Sequence, residues 1–202
     1  MKKWVFWLLS LTWGMPWTLI GILAAVVLEI LGYKPQRWGY CRYYEVGRRW
    51  GGVSFGPVFI VERSARDFTK DHEHGHAIQN CYYGPLMPFM VCLPSALRWW
   101  MRRCREQLTK KIFVFVWYVL SITVAMLVGR LLTALGVAWG EFVSVALIGY
   151  LLALYLWLMF CEIPKYEGGA DVDYYGIWFE AQASRWGEAL LEKLNGEESR
   201  DG

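Results

Sequence analysis

All three histidines of the chain fall within five residues, His72-Glu73-His74-Gly75-His76, and the run reads H-E-x-x-H. Residues four apart share one face of a helix, so His72 and His76 can offer their imidazoles to a single metal ion. Glu73 stands where it can reach a water on that metal and take its proton. His74 points about 200° around the helix from His72 and is expected to stay out of the site. The plainer reading is a solvated, charged helix start. It leaves unexplained why the whole histidine supply of 202 residues sits in one place.

A catalytic zinc usually has three protein ligands and one position left for water. No histidine remains for the third, so it must be a carboxylate or a thiolate. The five cysteines, Cys41, Cys81, Cys92, Cys104 and Cys161, are scattered and form no C-x-x-C, which argues against a thiolate site or a disulfide framework. Cys92 and Cys161 lie in apolar runs and are expected to be buried thiols. Glu180 is the preferred ligand. It lies in residues 174–187, a predicted helix whose face continues through the small residues Ala183, Ser184 and Gly187, which would let another helix approach. Glu162, Glu167, Asp171 and Asp173 are rivals in a polar, Gly-containing stretch. The competing reading makes Glu180 one solvated acid in an acidic tail.

The elements that must hold these residues are set by composition. Hydrophobic residues make up 56% and aromatics 17%, with 13 Trp, well above an ordinary soluble domain. A bilayer crossing needs about 20 apolar residues. Residues 4–28 are 25 positions without a charge, 112–129 are 18, and 142–161 are 20. The chain is therefore expected to be a mainly α-helical integral membrane protein. Residues 1–33 read as a membrane anchor, kinked at Pro16; Lys2 and Lys3 would suit a signal peptide, but the apolar run is too long and lacks a clean A-x-A. Residues 112–161 read as a transmembrane helical hairpin, and 162–202 as an acidic, amphipathic helical tail that completes the metal site.

Residues 34–111 form the membrane-surface, metal-binding region. They hold 14 basic residues against 6 acids, whereas 162–202 hold 4 against 10. The positive-inside rule then puts the metal site on the cytoplasmic side, most simply of a bacterial inner membrane. Residues 40–46 and 53–61 are rich in β-branched and aromatic types bounded by glycines, and predict a small β-hairpin or sheet. A helix over roughly 69–83 follows, capped by Asp67 or Thr69 and closed by Gly84-Pro85. Residues 77–97 carry no charge but hold Pro85, Pro88 and Pro94, which predicts a re-entrant or interfacial segment. Arg98, Arg102, Arg103 and Arg105, with Trp99 and Trp100 among them, suit anionic headgroups. Nucleic acid is excluded as a partner because this run abuts a membrane segment.

His72 to His76, followed by apolar segments and then a helix with Glu180 and Ala183, resembles the gluzincin metallopeptidases. Among these, the HtpX-like and CAAX-prenyl endopeptidases are membrane-embedded and place a transmembrane hairpin between H-E-x-x-H and the ligating Glu. The chain is also similar to small bacterial membrane proteins with H-E-x-G-H-x-x-Q, here His72 to Gln79, then Gly84-Pro85-Leu86-Met87 and Pro94-Ser95. The likeness runs from about residue 53 to 187, but its specific motifs cover only part of that stretch. It implies a zinc held by His72, His76 and Glu180, with Glu73 as general base in peptide-bond hydrolysis. Ser184 stands where those families usually carry Asp or Asn to support a ligating histidine. A site-2-type protease is disfavoured, since its motif is intramembrane and this one follows Arg63, Arg66, Asp67, Lys70 and Asp71.

The oxyanion would need a second stabiliser, with Tyr82, Tyr83, Tyr174 and Tyr175 as candidates. The strand Val58–Val61 could pair with an extended peptide. Gln79 could line the metal face or be structural. Two other classes stay open: a non-catalytic metal-binding membrane protein with an immunity, assembly or structural role, and a lipid-organising protein in which the motif is accidental.

Overall fold

The computed structural model describes residues 1–169 and 172–198. The chain forms two compact units: Met1–Ser95 with Tyr174–Gly202, and Ala96–Asp173.

The first unit opens with α1 (Lys3–Leu11) and α2 (Met15–Ile30), two apolar helices bent by 95°. The bend lies ahead of Pro16, not at it. Pro16 sits in the first turn of α2, where a missing N–H costs nothing. A side chain from elsewhere holds the break: the Asn80 amide donates to the Gly14 carbonyl and to Thr18 Oγ1, both at 3.3 Å. A Cβ on Gly14 would overlap that amide.

Four short strands follow, β1 (Gln36–Trp38), β2 (Cys41–Glu45), β3 (Gly52–Phe55) and β4 (Val58–Val61), in sheet order β1-β2-β4-β3. The run 53–61 is thus two strands of a hairpin, turned at Gly56, whose φ of +64° favours glycine. β4 pairs parallel with β2 and antiparallel with β3. This corrects the expectation that Val58–Val61 offers a peptide-binding edge: β4 is paired on both sides, and the edges are β1 and β3. Tyr43, Phe59 and Val61 form the core with Phe6 of α1 and with Ala77 and Cys81.

Helix α3 (Asp67–Tyr83) carries the H-E-x-x-H run. Its cap residue is Arg66, with no side-chain capping bond, rather than Asp67 or Thr69; Asp67 lies in the first turn, where its charge suits the helix dipole. Every residue from His72 to Cys81 is buried. A buried stretch containing His, Glu, Gln and Asn is costly unless those groups have partners or a task. The helix ends at Gly84, φ +52°, against the Trp13 indole. A turn and a π-turn (Pro88–Cys92) then lead into α4 (Leu93–Arg103). Residues 77–83 complete α3.

The last helix, α7, runs Trp178–Glu198, so residues 174–177 precede it as a turn rather than opening it. It crosses α3 at backbone contact. A Cβ on Gly75 would overlap the Ala183 carbonyl, and one on Gly187 the Asp71 carbonyl. The small residues around Glu180 serve the close approach expected of them.

In the second unit, α5 (Gln107–Ala134) pairs with α6 (Gly140–Trp157), which continues through a π-turn (Leu158–Glu162) and a last helical turn. Both α5 and Gly140–Glu167 are long and apolar enough to cross a membrane. Gly129 and Gly140 bring them together, and Ser144 Oγ donates to the Ala125 carbonyl at 3.1 Å. Outward faces are apolar along the length of α5, including Phe115, Val119, Leu120, Val124, Leu127 and Leu131. Arg98 is buried in this unit, donating to Glu162 Oε1 at 2.5 Å and to the Asp173 carbonyl at 3.3 Å. It is therefore not offered to headgroups; Arg102, Arg103 and Arg105 are exposed. Cys161 is exposed and Cys92 half-buried, against the expectation of two buried thiols.

Candidate metal centre

α3 supplies His72 and His76 on one face, and α7 brings Glu180 against them. His72 Nε2 lies 2.9 Å and His76 Nε2 3.3 Å from Glu180 Oε2, with the two Nε2 atoms 3.1 Å apart. The trio could hold a metal ion. Ligands at about 2.0–2.1 Å around a tetrahedral zinc stand about 3.3 Å from one another, so the spacing fits. The electrostatics fit too. Glu180 is wholly buried, and the ion-pair partners that face it are the two imidazoles, His72 and His76. A buried carboxylate needs compensating positive charge, and a metal cation bound by all three side chains would supply it.

The other ring nitrogens are taken. His72 Nδ1 is 2.9 Å from Ser184 Oγ, and His76 Nδ1 is 2.8 Å from Gln79 Oε1. If each Nδ1 carries the proton, both Nε2 lone pairs face Glu180. Ser184 thus occupies the supporting position with a neutral hydroxyl.

Without a metal the trio shares protons. Burial would raise the Glu180 carboxyl, but the hydrogen bonds and charges of His72 and His76 outweigh it and hold it well below the usual carboxylate range. Burial would lower His76, yet Glu180, Glu73 and Gln79 together hold it at about 9. Burial and the charge of His76 lower His72, against the pull of Glu180.

Glu73 is 5% exposed, and its Oε2 has no hydrogen-bond partner among the described residues. Burial lifts its carboxyl to about 7, with His76 pulling it down and Glu180 pushing it up. A carboxyl that exchanges its proton near neutrality is suited to general base work. Gly52 of β3 makes room for it, since a Cβ there would overlap the carboxylate. His74 lies on the opposite face, between Phe6 and Tyr40, and accepts the Tyr40 N–H at Nε2 (3.3 Å). Burial lowers it to about 4. It is a core histidine.

The four tyrosines separate. Tyr174 shares a 2.5 Å hydrogen bond with Ser95 Oγ, and burial with the nearby Glu180 charge pushes its pKa far up, so it remains a donor. Tyr175 packs its ring on His72 and Phe68. Tyr83 donates to Gln182 Oε1 at 2.8 Å, and Tyr82 is exposed beside Trp186. Of the rival ligands, Glu162 is held by Arg98 and Lys165 in the second unit, and Glu167 and Asp173 are exposed. Asp171 lies outside the described residues. Sequence reasoning marked Ser95 only as part of a motif and had no signal for its bond to Tyr174 or for the room Gly52 makes for Glu73, because those partners are distant in the chain. Comparison with protein-family models, curated proteins and solved structures finds no match, so the functional reading rests on residues and geometry.

Proposed function

We propose that this chain is a membrane-bound, zinc-dependent metallopeptidase-like protein that hydrolyses peptide bonds with metal-activated water. The observation that supports it is the convergence of two imidazoles and a buried carboxylate beside a second buried carboxylate, Glu73. Two nitrogens and one oxygen favour zinc over magnesium or calcium, which prefer oxygen alone. His72, His76 and Glu180 would hold the zinc, which would supply Lewis acidity and lower the pKa of a water towards about 7. Glu73 would take a proton from the attacking water and return it to the leaving amine. Tyr174, held by Ser95, is the tyrosine suited to donate to the developing oxyanion. The two apolar helices would anchor the protein in a bacterial inner membrane with the centre on the cytoplasmic side. Arg102, Arg103 and Arg105 would meet anionic headgroups, and the substrate would be a peptide or membrane protein.

A second reading, a non-catalytic metal site that fastens α7 to α3, is favoured by burial: His72, His76 and Glu180 are all no more than 8% exposed. Structural zinc sites are closed whereas catalytic ones keep a position open. Glu73→Gln separates the two. The purified protein in detergent is expected to carry about one zinc per chain, and the variant to keep it. Hydrolysis should fall ~10²–10⁴-fold in the variant, which then traps substrate in pull-downs. A wild type without zinc sinks both readings; a variant as active as wild type removes Glu73 from the reaction.

A further inference from the structure

Gln79 follows His76 by three residues on α3 and is wholly buried. All its polar atoms are engaged. Its Nε2 donates to the Phe179 carbonyl at 2.7 Å and to Gln182 Oε1 at 2.9 Å. Gln182 Oε1 also accepts the Tyr83 hydroxyl at 2.8 Å, which keeps that oxygen turned inward as an acceptor. Two acceptors on one side settle which way round the Gln79 amide sits, because a reversed amide would face oxygen to oxygen twice. Its Oε1 must then point at His76 Nδ1, 2.8 Å away. An amide oxygen only accepts, so His76 must carry hydrogen on Nδ1. Whenever the ring is neutral, its lone pair is on Nε2, the atom that faces Glu180.

The same amide also binds the two helices. Phe179 immediately precedes Glu180, so Gln79 ties the ring of one candidate ligand to the backbone that carries another. The Ser184 hydroxyl on His72 differs: it rotates and can donate or accept, so it selects no tautomer by itself.

We propose that Gln79 is a positioning residue of this centre, locking the Nδ1–H tautomer of His76 and holding that ring in register with Glu180 on α7. This rests on the metal reading for its consequence, tighter zinc binding, but the lock itself is testable without metal. With three histidines in the chain, ¹⁵N-histidine NMR of the metal-free protein in detergent resolves each ring. Above the pH at which His76 loses its proton, its neutral ring is expected to be Nδ1–H; an Nε2–H ring or an even mixture overturns the proposal in the wild type alone. Gln79→Met keeps the bulk and loses the amide. It should convert His76 to a mixture and weaken zinc binding ~10–100-fold in competition titrations. Gln79→Glu retains an acceptor for the Nδ1–H and should keep the tautomer, while losing the donor to α7. Zinc affinity of Gln79→Met within twofold of wild type overturns the positioning role. A wild type that binds no zinc yet holds the Nδ1–H ring removes the metal reading and leaves the lock standing.

Discussion

Each imidazole of the centre is backed by a neutral group, Ser184 on His72 and Gln79 on His76. A carboxylate in either place would make the ring more basic and a better ligand. Ser184→Asp is therefore expected to tighten zinc binding by about tenfold, the low end of the range for such partners, and competition titration reads it directly. His72→Ala or His76→Ala should abolish binding, since two ligands do not hold the ion, while His74→Ala should retain it. Equal loss in all three would contradict the helical geometry. The pH dependence has a definite sign. Metal-free His76 is protonated below about 9, so binding must expel that proton. Affinity should rise as pH rises towards 9, by about tenfold per unit for one proton released, and level off above it. An affinity flat from pH 6 to 8 would mean that His76 is already neutral.

At the scale of elements, the crossing of α3 and α7 sets the distance between the histidines and Glu180. Gly75 and Gly187 permit it. Gly75→Ala is expected to push the helices apart, costing about 1–3 kcal/mol by overpacking and weakening zinc binding at the same time. Gly196→Ala, on α7 with nothing within 4 Å of the added carbon, is the control and should be neutral or stabilising by up to about 1 kcal/mol. Thermal unfolding with and without zinc measures both. Much of this crossing was legible in the sequence, because helical periodicity puts Glu180, Ala183, Ser184 and Gly187 on one face. Strand order was not: β-branched and aromatic enrichment along 53–61 marks strands but says nothing of neighbours, so β4 looked like a possible edge and proved central. The break near Gly14 was misplaced to Pro16 because its cause, Asn80, belongs to another helix. Gln79 was visible three residues after His76, yet its role depends on Phe179 and Gln182, which only the folded chain brings to it. Local spacing was readable; partners far apart in sequence were not.

For the whole molecule, the centre and the apolar hairpin belong to different units, and connectivity links them. The chain leaves the first unit after Ser95 and re-enters it at Tyr174, with His76 before the excursion and Glu180 after it. If the protein is embedded as proposed, the number of complete crossings between residues 76 and 180 must be even. Helices α5 and Gly140–Glu167 supply two, and α4 with its preceding π-turn must then not cross. On that reading, the excess of basic over acidic residues in 34–111 would put the common side in the cytoplasm, against the two lysines Lys2 and Lys3. Cysteines placed singly at Ser64 and Glu192, both in the first unit, in a background freed of the five native cysteines, test this in intact cells and inverted vesicles. Both positions should be protected from an impermeant maleimide in cells and labelled in inverted vesicles. Labelling of both in cells would reverse the orientation and leave the centre intact. Labelling of one only would separate α3 from α7 across the bilayer, and Glu180 could then share no metal with His72 and His76.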